Sequence, residues 1–197
     1  PALTHDECGV TSFVRRFSWP GGFPSHLYPG VPGTIHEGGE LGYALSTAFG
    51  AAFDNPHLVV ACIVGDGEAE TGPTATAWHG NKFLDPKRSG AVLPILHLNG
   101  YKISSPTIFG SMADNELRDL FSGYGWNPRI VEGEDLVSAT AGAMSWALDE
   151  IRGVQQYFRS HQIHADPRPC WPLVVLRSLK GWTGVKEVDG KPVEGSY

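Results

Sequence analysis

The chain has 197 residues, 41% of them hydrophobic, enough for one sizeable core and, by the usual size of domains, for one domain. Fifteen basic residues against 21 acidic give a net charge of −6, and no basic cluster exceeds Arg15-Arg16 or Lys87-Arg88, which excludes a nucleic-acid-binding surface. No apolar run approaches the ~20 residues that span a bilayer, PALTHDECGV at the start lacks a signal-peptide pattern, and Cys8, Cys62 and Cys170 are too scattered for a disulfide framework or a thiolate metal site; the expectation is a soluble, cytoplasmic protein without a membrane partner.

In chain order, residues 6–17 fit a short amphipathic helix. The segment 18–33, SWPGGFPSHLYPGVPG, reads as a loop, because its four prolines and four glycines deny both ladder types their donors. From Glu40 to Phe53, Leu41, Ala44, Leu45, Ala48, Ala51 and Ala52 follow a helical period with side chains small enough for close packing on a sheet. The run 58–64, LVVACIV, is apolar without alternation, as expected of a strand covered on both faces, and Cys62 within it reads as a small buried residue. A helix over 74–85 stops before Pro86, and 94–98 makes another strand with Pro94 at its first position. Strand, helix, strand is the βαβ unit. A helix over 114–122, a short strand at 129–131, a long helix over 135–160 and a last strand at 172–178 complete the pattern. In the long helix Val137, Ala141, Met144, Leu148, Ile151 and Phe158 step by three and four. The alternation predicts an α/β fold with a mainly parallel sheet flanked by helices.

Parallel strands send the loops after 58–64 and 94–98 to the same carboxyl edge, where open α/β sheets bind ligands. Gly65-Asp66-Gly67 and Asn99-Gly100-Tyr101 are therefore expected to be neighbours. Asp66 offers a carboxylate, Asn99 a carbonyl oxygen, and the glycines admit close backbone approach; this is an oxygen set for Mg²⁺ or Ca²⁺. Mg²⁺ keeps few protein ligands and lets phosphates complete its octahedron, and a helix beginning near Thr71 turns its amino end toward such phosphates. Competing motifs fail letter by letter. A dinucleotide fingerprint needs a third glycine where Glu70 stands, and an EF-hand loop starting at Asp66 wants Gly and Glu where Thr71 and Ala77 stand. HEGGE has Glu40 where the zinc helix has its second histidine. The plain alternative for the GDG is a turn whose aspartate caps a helix.

The strings 36-HEGGELGY-43, 65-GDGEAETGP-73, 95-ILHLNGYKI-103, 180-KGWTG-184 and 188-VDGKPVEGS-196 resemble phosphoketolase over essentially the whole chain. The resemblance implies that 1–197 is the diphosphate-binding domain of a thiamine diphosphate enzyme and a fragment of a longer chain. It also implies cleavage of xylulose 5-phosphate or fructose 6-phosphate by inorganic phosphate to acetyl phosphate, an aldose phosphate and water. By it, Asp66, Asn99 and the Tyr101 backbone oxygen bind Mg²⁺, and Gly65, Gly67, Glu68, Asn99, Lys102 and Ile103 lie along the cofactor. Related transketolases carry a loop histidine followed thirteen residues later by a glycine at the aminopyrimidine. His26 and Gly39 stand thirteen apart, which implies an acid/base or hydroxyl-binding His26 and a cofactor wall of Gly39, Glu40 and Leu41.

Lys180 resembles the family lysine at the phosphorylated groups, and His36 is expected to orient its loop. His97 is either catalytic or a core histidine satisfied by hydrogen bonds. His161 and His164 read as surface residues.

The family's glutamate that hydrogen-bonds the aminopyrimidine comes from a following domain, normally of a partner subunit, and no stretch here resembles it. The resemblance therefore implies a half-site that is inactive alone and is completed in a homodimer or larger homo-oligomer. Transketolase-like ketol transfer and a non-catalytic assembly domain of the same fold are the alternatives.

Overall fold

The computed structural model describes residues 4, 6–31, 33–103, 105–161 and 168–193. His164, the chain ends and the last residues of the VDGKPVEGS string lie outside them, as does Pro32 in the predicted loop. The chain divides into two compact units, Pro1–Leu41 and Gly42–Tyr197.

In the first unit α1 spans Glu7–Arg16, and the Asp6 carboxylate caps it by accepting from Gly9 N at 2.8 Å. The Pro/Gly-rich stretch that follows is loop and turn, as expected, with one bridge between Phe17 and Phe23.

In the second unit the order is α2 Ala44–Phe53, β1 Val59–Gly65, α3 Asp66–Ala69, α4 Gly72–Ala77, a 3₁₀ stretch Trp78–Phe83, β2 Ala91–Leu98, α5 Ile108–Ser111, α6 Asp114–Tyr124, β3 Trp126–Val131, α7 Leu136–Ser160, β4 Trp171–Arg177 and the hairpin β5 Glu187–Val188 with β6 Lys191–Pro192. Strands β1 to β4 form a parallel sheet in the order β1-β2-β4-β3, flanked by helices, which is the predicted α/β architecture. Trp78, Trp126 and Trp171, all fully buried, anchor the core with Leu93, Leu96, Leu117, Phe121 and Leu173. The indole of Trp78 donates to Ala69 O and that of Trp126 to Trp78 O, each at 3.0 Å, so these two satisfy their polar ends, whereas the Trp171 indole nitrogen is buried without a hydrogen-bond partner among the described residues.

Several boundaries differ from the expectation. The helix predicted from Glu40 begins at Ala44, because Gly42 sits at φ +105, in the left-handed region that a right-handed helix excludes. β1 is not covered on both faces: it is an edge strand whose Ala61 and Ile63 point outward, Ile63 at 64% exposed. The helix predicted over 74–85 is a short α-helix that tightens to 3₁₀ before Leu84. β2 begins three residues before Pro94; proline is tolerated inside it because the ladder to β4 starts only at Ile95, leaving one edge of the strand unpaired up to that point. β3 starts at Trp126 and holds Pro128 on the opposite edge of the sheet. On α7 the buried stripe is Leu136, Ala143, Ala147 and Ile151, with Val137 and Ala141 exposed, so the helix is rotated from the predicted face. Alanines at its centre let it approach the sheet more closely than the larger predicted residues would.

Candidate functional site

The register Gly65↔His97 ends β1 and β2 at the same level, so both following loops leave from the carboxyl edge. After Gly65 the chain turns directly into α3, which puts Asp66 at the first helical position with only 1% of its surface exposed. Its Oδ1 accepts from Gly67 N at 3.1 Å, and its Oδ2 accepts from Gly100 N at 2.7 Å and from Thr107 Oγ1 at 2.9 Å. Gly100 directly follows Asn99, so the two oxygen-bearing loops do meet. Among the described residues no Lys, Arg or His forms an ion pair with Asp66. A buried carboxylate with three N–H and O–H donors and no cation is an incomplete arrangement, because desolvating a charge is costly unless it is paired or holds a metal.

The Asn99–Thr107 loop is closed on itself. The Asn99 side-chain oxygen accepts from Tyr101 N at 3.0 Å, Lys102 N donates to Ser105 O at 2.8 Å, and Thr107 N donates to Gly100 O at 3.0 Å. Gly100 turns the chain at φ +83, where a side chain would be strained. Thr107 Oγ1 also accepts from Gly110 N and so caps α5. Asp66 and Asn99 each keep a lone pair beyond these bonds, and with the Tyr101 carbonyl they form a hard oxygen set that fits Mg²⁺. Among the described residues no group of three or more His, Cys, Asp or Glu could hold a metal, so neutral oxygens would have to supply part of the ligand set beside Asp66.

Glu68 Oε1 accepts from Gly42 N at 2.8 Å, which ties α3 to the start of α2. The Lys102 stem lies on Gly67: a Cβ there would stand 3.2 Å from Lys102 Cγ. The Lys102 ammonium is 2.6 Å from Glu70 Oε1. Ile103 is 81% exposed, and its carbonyl accepts from Lys180 Nζ at 3.4 Å, which brings the KGWTG segment to the same loop. His97 is half-buried, and its Nε2 lies 2.8 Å from Ser178 Oγ. His26, Gly39, Glu40 and Leu41 belong to the first unit, where all four are exposed. There Gly39 N donates to Glu37 Oε1 at 2.7 Å, so Glu37, not the expected His36, makes the ordering contact within HEGGE. His161 is exposed, as expected.

Sequence reading passed over Glu70, Thr107 and Ser178. Thr107 carried a usable signal, a threonine at the start of a short helix; Glu70 and Ser178 are recognisable only once the loops are seen together.

The family described as the XFP N-terminal domain matches residues 1–197. A probable phosphoketolase of Bradyrhizobium diazoefficiens is 59% identical over all of this chain and 25% of its own length; those of Streptomyces coelicolor and Chlorobaculum tepidum are 58% and 57% identical with the same coverage. The chain thus spans about a quarter of the curated relatives it matches. Solved transketolase structures from Pichia stipitis are similar in fold alone: the R525L mutant gives a TM-score of 0.55 at 20% identity over 84% of this chain and 24% of that one, and the R356L mutant with fructose 6-phosphate gives 0.56 with the same identity and coverage.

Proposed function

The chain belongs to the XFP N-terminal domain family, and from that premise we propose that residues 1–197 form the diphosphate-binding domain of a thiamine diphosphate-dependent phosphoketolase. One observation carries the reading: Asp66, buried without a cation partner among the described residues, meets the loop of Asn99 and Tyr101 at the carboxyl edge of parallel strands. Asp66, Asn99 and the Tyr101 carbonyl hold Mg²⁺. Gly65, Gly67, Glu68, Lys102 and Ile103 lie along the diphosphate, and Gly39, Glu40 and Leu41 wall the cofactor.

The chemistry supplied by the bound cofactor is an electron sink for carbon–carbon cleavage of the ketose. This chain's residues bind and move protons. Lys180 meets phosphorylated groups as a point charge. His26 and His97 serve as acid/base groups where hydroxyls gain and lose protons, the task to which histidine is suited near neutral pH. The substrates are a sugar phosphate, xylulose 5-phosphate or fructose 6-phosphate, and inorganic phosphate; the products are acetyl phosphate, an aldose phosphate and water. A pyrimidine-binding domain in a cytoplasmic homodimer or larger homo-oligomer completes the site.

The test is acetyl phosphate formation from xylulose 5-phosphate and inorganic phosphate by the full polypeptide that carries this sequence. Product is expected only with both thiamine diphosphate and Mg²⁺. Ketose consumption that requires an added aldose acceptor would instead establish ketol transfer. Neither activity despite bound cofactor would remove both assignments.

A further inference from the structure

Glu70 stands one turn after Asp66, at the end of α3, and its side chain is 2% exposed. Its Oε2 accepts from Ile108 N at 2.6 Å and Phe109 N at 3.1 Å, while its Oε1 is 2.6 Å from Lys102 Nζ. All three donors come from the 102–109 segment. Asp66 grips the same segment at Gly100 N and Thr107 Oγ1. Two carboxylates on one turn of helix therefore hold both limbs of the loop that carries Asn99 and Tyr101.

Apart from these two carboxylates, the loop is held by its own hydrogen bonds and by Lys180 Nζ on the Ile103 carbonyl. Tyr101 and Ile103 are exposed, so burial of their apolar surface does not set its position. Lys102 packs its stem on Gly67 and reaches Glu70 by its ammonium, which seats the loop directly on the glycine of the GDG. We propose that Glu70 is a positioning residue: through Ile108, Phe109 and Lys102 it sets the Asn99 and Tyr101 oxygens at the distance from Asp66 that Mg²⁺ requires. The proposal rests on the metal–diphosphate reading above. It assigns Glu70 no contact with metal or cofactor.

The variants Glu70→Ala, Glu70→Gln and Lys102→Met separate the ties. Alanine removes all of them. Glutamine keeps an oxygen for the Ile108 and Phe109 amides and loses the ion pair; Lys102→Met loses the ion pair and keeps the stem on Gly67. The full polypeptide is titrated with Mg²⁺ at saturating thiamine diphosphate by calorimetry, and hydrogen exchange at Ile108 and Phe109 is followed without either ligand.

Glu70→Ala is expected to weaken Mg²⁺ binding about 10-fold or more, the usual effect of removing a group that orients metal ligands, and to lose protection of both amides. Glu70→Gln is expected to keep that protection. Its Mg²⁺ affinity should fall below that of wild type, and adding Glu70→Gln to Lys102→Met should weaken binding no further, since the ion pair is already broken there.

Mg²⁺ affinity within about twofold of wild type in Glu70→Ala overturns the proposal, as this is far below the usual effect. If that variant does not fold, unchanged affinity in both Glu70→Gln and Lys102→Met overturns it instead. A wild-type polypeptide without Mg²⁺-dependent cofactor binding would overturn the site reading itself, an outcome distinct from normal wild-type binding that Glu70 does not influence.

Discussion

Replacing Asp66 by asparagine changes one oxygen into an NH₂ group and little else in shape. Three donors face the carboxylate, so the amide has to turn its nitrogen toward one of them. The least costly choice keeps the oxygen on Gly100 N and Thr107 Oγ1, at 2.7 and 2.9 Å, and leaves Gly67 N, at 3.1 Å, facing another donor. Losing one charge-assisted bond in a buried position costs about 2 kcal/mol. Asp66→Ala strands all three donors and opens a small cavity, for about 4 kcal/mol. Urea unfolding of this chain, followed by the fluorescence of the buried Trp78, Trp126 and Trp171, reads both values. Asparagine is expected to fall midway between wild type and alanine. If both variants stay within about 0.5 kcal/mol of wild type, the range of an ordinary surface change, Asp66 does not hold the two loops together and the site geometry derived from it fails.

Burial, with a further contribution from the charge of Glu68, pushes the Cys62 thiol from 9.0 up to about 12. Between those values the unfolded chain has lost a proton that the folded chain keeps, so stability falls as pH rises through that window. A Cys62→Ala variant should lack this component, visible as a shallower loss of unfolding free energy above pH 9 than in wild type. Under native conditions a thiol reagent should modify the exposed Cys8 and Cys170 and spare Cys62, which reacts only after denaturation. Gly100→Ala, at φ +83, is expected to cost about 1–2 kcal/mol in the same urea assay, whereas Gly153→Ala on α7, with open space where its Cβ would go, should stabilise by up to about 1 kcal/mol; the reverse order would refute the loop conformation. A homogeneous preparation of the 197-residue chain is expected to form no acetyl phosphate even with thiamine diphosphate and Mg²⁺, and detection of product would show the pyrimidine-binding domain to be dispensable.

The parallel sheet was legible because buried parallel strands are apolar runs, and 58–64 and 173–176 are such runs. The same rule misjudged β1, since an apolar run does not tell whether its second face is covered, and Ile63 is open. On α7 the larger residues drew the predicted face toward Val137, while burial followed Leu136, Ala143, Ala147 and Ile151; periodicity without regard to size misplaces a helix that packs close to a sheet. The hairpin β5–β6 was missed although Asp189-Gly190, at φ 53 and 75, is the dipeptide that a tight hairpin turn demands. Those residues had served only as part of a longer resemblance string. In the candidate site, the meeting of the Asp66 and Asn99 loops followed from topology alone. Glu70 did not, because a carboxylate between α3 and α4 looks like any solvated acid until the loop that covers it is in place.

Asp66 and Glu70 are both nearly inaccessible, yet among the described residues only Glu70 has a lysine. If loop closure were all that the pair achieved, the burial of Asp66 would need a cation as much as that of Glu70 does, and Lys102 is committed to its neighbour. The asymmetry has a physical reading. Glu70 is satisfied within the protein and so can fix the loop permanently. Asp66 directs its bonds to Gly67, Gly100 and Thr107 and has no cation partner among the described residues. A divalent cation bound there would remove that deficit and add to stability in proportion to its occupancy. Mg²⁺-linked stabilisation that disappears in Asp66→Ala but persists, weakened, in Glu70→Ala is the thermodynamic form this division of roles takes.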